Sequence, residues 1–218
     1  MTRSAEVRPV LALLLAFGAL VLGACGNGGD GDGDAAAETA AKEGLSPRTR
    51  VPRFGTGPRY RPRLKAGQAA AGRAIGELRC DSGGPRFGVH LEVFANELDV
   101  VVPAGIGMAR PLRREGAYVT AARCSYPVRT VEPTGLIEVE RGRALTLGDF
   151  FDVWGEPLSG TGVLSFRARR GRTVSAFVDG RRWRGDPRSI PLRRHAAIVV
   201  EVGGFFPPTR KYLFPPGL

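Results

Sequence analysis

The chain has 218 residues, 43% of them hydrophobic, with 32 Lys or Arg against 21 Asp or Glu and a formal net charge of +11. That apolar content suffices for one packed domain and excludes a chain that is disordered throughout. The basic balance invites a nucleic-acid reading, but the sequence has no zinc-finger, RNP or Walker-type spacing, and nucleic acid is not an expected partner.

Arg3 and Arg8 precede an apolar run from Val10 to Leu22, followed by Leu22-Gly23-Ala24-Cys25. The run is shorter than the about 20 apolar residues of a spanning helix, and small residues stand before a cleavage point, so residues 1–24 read as a secretion signal. Leu-Gly-Ala-Cys also resembles the lipobox of bacterial lipoproteins. That resemblance implies a diacylated Cys25 as the first mature residue, on a cell-membrane-anchored, extracytoplasmic protein.

The three cysteines are Cys25, Cys80 and Cys124. With Cys25 carrying lipid, an even pair remains in an oxidising compartment, and Cys80 and Cys124 are expected to bridge. Free buried thiols or metal-ligating cysteines are the alternatives. Expected contacts for so basic an exported chain are the membrane through the anchor, anionic headgroups and wall polymers. An arginine-rich composition without any dedicated partner accounts for the charge equally well.

Residues 25–76 lack a sustained apolar period and read as a Gly/Pro/Arg-rich tether. Asp30, Asp32 and Asp34 resemble the start of a calcium loop, but Ala35 and Ala41 stand where its glycine and glutamate belong. The basic stretch from Arg48 to Lys65, with Phe54 and Tyr60 interleaved, reads as a disordered segment or one lying along a membrane surface.

From Glu77 onward the periodicity is that of strands. Val89, Leu91 and Val93 alternate with His90, Glu92 and Phe94, and Asn96-Glu97 turns the chain into Leu98–Val102. Tyr118 to Tyr126 is a weaker strand and Leu136–Glu140 a stronger one. Thr146 and Asp149 frame the start of a helix over Leu147–Trp154, whose Leu147, Phe150, Phe151 and Trp154 share a face and which Gly155 ends. Asp179-Gly180 joins Thr173–Val178 to Arg181–Arg184 in a second hairpin. Ala196 to Val202, nearly all apolar, is expected to be central in the sheet. The terminal FFPPTRKYLFPPGL admits no helix and reads as an extended strap over the domain's own core, with Phe205, Phe206, Tyr212 and Phe214 as its anchors, a peptide offered to a partner being the alternative. Residues 77–218 are thus expected to form one α+β domain, mainly antiparallel with one short helix, in a β-grasp-like order.

The blocks HLEVFANELDVVVPAGIG, TGLIEVE, LTLGDFFDVWGEPLS, VDGRRWRGDPRSIPL and FPPGL resemble a group of exported bacterial and archaeal proteins of uncharacterised activity, over nearly all of residues 80–218. The resemblance implies histidines at alternating positions before the first hairpin and a His-Thr-His-Asp run after the second cysteine, together with a capacity for metal. In this chain the first array keeps only His90, with Arg86 and Gly88 at the earlier positions. Arg129, Val131 and Glu132 stand where the second has His, His and Asp.

A strand places alternate residues on one face, so His90, Glu92 and Glu132 are the candidate ligands of a degenerate copper or zinc site. A half-buried strand histidine paired with a carboxylate is the competing reading of His90, and lone His195 reads as structural. Asp149 and Asp152, three apart on the helix, are the candidate paired carboxylates, with helix-terminus stabilisation as the alternative. Asp186 reads as a turn former. No Gly-x-Ser-x-Gly, His-Glu-x-x-His or phosphate loop is present. The reading is a non-enzymatic binding or accessory module without a cofactor, the alternative being copper or zinc handling.

Overall fold

The computed structural model describes residues 58–170, 172–204 and 212–218, all within the compact unit Ser46–Leu218. Expectations for residues 1–57, including the signal, the Cys25 anchor and the calcium-like run, lie outside the described residues, as do Phe205 and Phe206. No helix among the described residues is long and apolar enough to cross a membrane.

The architecture is α+β, with mixed and antiparallel sheets and one main helix. After β1 (Arg59–Tyr60) and α1 (Gln68–Ala71) comes β2 (Arg86–Ala95), the centre of the main sheet, which pairs with three other strands. The Asn96-Glu97 turn, both residues at positive φ, folds β2 back onto β3 (Leu98–Val100). A turn with two left-handed residues matches the twist of the flanking strands. β4 (Leu112–Glu115) and β5 (Tyr118–Ala122) form a separate two-stranded ribbon. β6 (Val128–Arg129) pairs with β7 (Leu136–Glu140), which pairs in turn with the first half of β2.

After β7 comes α2 (Leu147–Trp154). Its start is a capping box: the Asp149 amide donates to Thr146 Oγ1, and the Thr146 amide donates to Asp149 Oδ2 at 2.8 Å. Gly155 ends it at φ +75. Phe150, Phe151 and Trp154 are buried side by side against the sheet. β8 (Leu158–Ser159), β9 (Gly162–Val163) and β10 (Phe166–Arg167) form a small antiparallel sheet. β11 (Ser175–Val178), β12 (Arg181–Arg182) and β13 (Ala197–Val202) complete the main sheet, in the order β1-β3-β2-β13-β11-β12.

β13 is central, as its apolar run requires, and all six of its residues are buried. It runs parallel to β2 from Ala197↔His90 to Val202↔Ala95. A strand has two edges, so β7 and β3 share the other edge of β2. The expectation of mainly antiparallel pairing thus holds except at β2/β13 and β1/β3. A long crossover is what parallel neighbours require, and the stretch from Glu97 to Ala196, including α2, supplies it.

The tether differs from expectation at its C-terminal end, because residues 58–76 are folded onto the domain. Tyr60 packs edge-to-face on Phe166 at 5.1 Å, and Arg59 pairs with Asp99 at 3.2 Å. Leu64, Ala69 and Ile75 join the core, and the Tyr126 hydroxyl donates to the Arg73 carbonyl. The sequence shows no period here because short pieces each contribute one or two apolar side chains. Tyr60, considered above as a membrane-surface residue, is a core contact.

Gly135 carries a backbone demand that no other residue meets cheaply. At φ +81 it presses its carbonyl against the Leu91 amide, and an added Cβ would lie 2.2 Å from the Leu91 oxygen. Gly135→Ala is expected to destabilise the fold by about 1–3 kcal/mol, read as a lower urea midpoint at unchanged slope.

Candidate functional site

Alternation along β2 divides its side chains. Val89, Leu91, Val93 and Ala95 enter the main core, while Arg86, Gly88, His90, Glu92 and Phe94 share the opposite face. Register brings Glu138 beside Gly88, Leu136 and Ala197 beside His90, and Val199 beside Glu92. This second face is polar, yet Arg86, His90, Glu92, Glu138 and Glu201 are all buried.

His90 is 2% exposed. Its Nε2 lies 3.1 Å from the Thr134 carbonyl oxygen, a geometry that suits an Nε2–H donor. Tyr212 of the C-terminal strap stacks on the ring at 3.8 Å between centroids and 11° between planes. Burial is the main cause that drives the imidazole pKa down to about 4, against the weaker upward effect of the Thr134 hydrogen bond. The ring is therefore neutral at pH 7. Burial also raises the Tyr212 phenol, opposed by its hydrogen bond to Thr134.

The other candidate ligands do not converge with His90 into a metal cluster. Glu92 shares its face. Glu132, 1% exposed, accepts at 3.1 Å from the Thr134 hydroxyl. Thr134 thus ties the loop after β6 to both His90 and Glu132. Among the described residues, no group of three or more His, Cys, Asp or Glu side chains is arranged to hold a metal ion.

Where the resemblance places further histidines, an arginine and carboxylate cluster stands instead. Arg129 grips Glu138 through Nε and Nη2 at 2.9 and 2.8 Å. Arg86 donates to the Tyr126 and Pro127 carbonyls at 3.0 and 3.2 Å and to the Ser82 hydroxyl at 2.8 Å. Burial, and next the charge of Arg129, lowers the Arg86 guanidinium pKa to about 10, which leaves it protonated at neutral pH. A buried charge held by several carbonyls and a charge-assisted pair fixes geometry and removes the open ligand positions that a cation needs. Arg129 is therefore tied to Glu138, the β7 neighbour of Gly88.

The remaining candidates have structural partners. Asp149 is spent in the capping box, and Asp152 pairs with Arg188 at 2.7 Å, so the two carboxylates serve different contacts. Asp186 caps the turn at Pro187–Ser189, accepting from the Arg188 amide at 2.9 Å. His195, at φ +64, stacks on Phe214 at 4.6 Å, and its Nε2 contacts the Leu218 oxygen at 2.6 Å. Phe214 also fills the space over Gly88, where a Cβ would approach within 2.7 Å of the ring. Cys80 and Cys124 form a disulfide with Cα atoms 5.5 Å apart.

Sequence reasoning missed Thr134 and Glu138 as members of this cluster. Their roles depend on the register of β7 with β2, which no local pattern in either strand encodes. Comparison of the chain with protein-family models, curated proteins and solved structures finds no match.

Proposed function

We propose that this chain is a lipid-anchored, extracytoplasmic, non-enzymatic binding or accessory module. Residues 1–24 serve as signal peptide, and Cys25 carries the lipid. The observation that carries the non-catalytic reading is the closure of the polar face: the one strand histidine is buried, neutral, and stacked under the protein's own C-terminal strap. A general base or metal ligand needs an approachable lone pair; here the in-plane Nδ1 lone pair is buried, and Tyr212 covers a face of the ring. The Cys80–Cys124 bridge supports an oxidising compartment, since such bonds persist outside the cytosol. A β-grasp-like order is also proposed; its support is the parallel pair β2/β13 with a hairpin on each side.

Membrane fractionation tests the anchor. Wild type is expected in the membrane pellet and Cys25→Ala in the soluble fraction, the mature chain otherwise intact. Equal membrane retention of the variant contradicts lipidation at Cys25. Anionic headgroups and wall polymers are the contacts that the basic surface favours.

A further inference from the structure

We propose that the cleft around Trp183 binds a sugar ring of an anionic polysaccharide, the indole taking the ring and the flanking arginines taking its carboxylate or phosphate; this rests on the binding-module reading. Between Leu158 and Gly204 the chain has ten arginines against Asp179, Asp186 and Glu201. Of the three carboxylates, Glu201 is 2% exposed, while Asp179 and Asp186 are exposed but bound to backbone amides, Asp179 accepting from Ala197 and Asp186, which also lines the cleft described below, from Arg188. The cationic excess is left at the surface, where Arg172, Arg182 and Arg184 are exposed.

β12 is the outermost strand on its side of the sheet, and the chain leaving it frames an open cleft of about 690 Å³. Thr173, Val174, Arg182, Trp183, Arg184 and Pro187 are among its lining residues. Its size falls within the about 300–1,000 Å³ of small-ligand sites. Trp183 is held in place: its amide donates to the Ala176 carbonyl at 2.8 Å, and Nε1 donates to the Asp186 carbonyl at 3.2 Å. Gly185 leaves room for the indole, since a Cβ there would lie 3.1 Å from Nε1. A fixed, half-buried aromatic whose exposed sequence neighbours Arg182 and Arg184 line the same cleft combines an apolar platform with planar anion-binding forks.

The shape favours a chain-like ligand over a bilayer. An interfacial membrane anchor projects its aromatic side chain into the lipid, whereas Trp183 is tied by its own N–H into a concave wall. A sugar ring bearing an anionic group can enter such a concavity, and the adjoining arginines extend attraction along the polymer.

The full chain, kept in micelles of a neutral detergent, is titrated with alginate oligosaccharide, neutral dextran oligosaccharide, a single-stranded oligonucleotide and phosphatidylglycerol vesicles. Alginate binding is expected, with dextran at least about tenfold weaker. Trp183→Ala and the pair Arg182→Gln/Arg184→Gln are each expected to weaken alginate binding by about tenfold, while Trp183→Phe keeps most of it. Unchanged melting temperatures in the arginine variant separate a binding loss from a folding loss. The inference is overturned if dextran binds as well as alginate, if the arginine pair is dispensable, or if the vesicles or oligonucleotide bind more tightly through Trp183. A Cys25-dependent membrane fraction together with no alginate binding removes this cleft assignment alone and leaves the anchored-module reading standing.

Discussion

Replacing Cys80 and Cys124 together by serine is expected to reduce stability by about 4 kcal/mol and melting temperature by roughly 10 °C. The bond joins positions 44 residues apart, and cross-linking a loop of that length removes much of the unfolded chain's freedom. Its local role adds to the effect. The Ser82 amide donates to the Ser125 carbonyl and the Ser125 hydroxyl to the Ser82 carbonyl, both at 2.9 Å, directly beside the bridge. Those bonds hold the buried Arg86 cluster, because Ser82 and Ser125 both accept from Arg86. The same region anchors residues 58–76, through the Tyr126 hydroxyl on Arg73 and the Arg123 guanidinium on the Ala71 carbonyl. Thermal unfolding of the double variant, against wild type with and without reductant, checks this. A shift below about 2 °C would contradict a structural bridge of this kind.

Lowering the pH from about 6.5 to 4 is expected to withdraw about 3 kcal/mol of stability through His90 alone. The folded pKa of about 4 lies below the ordinary imidazole value of 6.5, so in this window the unfolded chain binds a proton that the folded chain does not. Stability from this source is complete above about pH 6.5 and is lost as pH falls through the folded value. The cause is the closed setting of the ring. Nδ1 is buried without a hydrogen-bond partner among the described residues, and Tyr212 excludes water from one face. Burial dominates the shift, against the smaller upward effect of the Thr134 hydrogen bond. Denaturation midpoints measured from pH 7.5 to 4 for wild type and His90→Gln test this: the variant's curve is expected to be the flatter one. Parallel curves would show that His90 titrates normally in the folded protein.

How much was legible in the sequence differed by the kind of signal. The helix was readable to the residue because Thr146, Asp149 and Gly155 are local instructions, each satisfied by a backbone group within one turn. Both hairpins were readable for the same reason: Asn96-Glu97 and Asp179-Gly180 encode left-handed turns. The ribbon partner of Tyr118–Ala122 was not foreseen, because Leu112-Arg113-Arg114-Glu115 has no apolar alternation and its outward residues remain exposed. The fold-back of residues 58–76 escaped notice for a related reason. Tyr60, Leu64, Ala69 and Ile75 are spaced by contacts on a three-dimensional surface and follow no helix or strand period.

The candidate site was legible in part of its membership and illegible in its state. Alternation placed His90 and Glu92 on one face, as the register confirms. That Arg129 pairs with Glu138 and that Tyr212 covers His90 required knowing which strands are neighbours and where the chain returns after β13. The end of β13 pairs with Ala95, and the beginning of β13 pairs with His90. Tyr212 lies at the His90 end of this pairing, a placement that proline pairs alone do not specify.

The most direct test of a closed, structural His90 is its imidazole titration by NMR, with His195→Gln used to assign the two histidine signals. A pKa of about 4 is expected, with a resonance that does not move when equimolar Zn²⁺ is added at pH 7. A pKa near the ordinary 6.5, together with a Zn²⁺-induced shift of the His90 signal, would contradict it and establish an open ligand in its place.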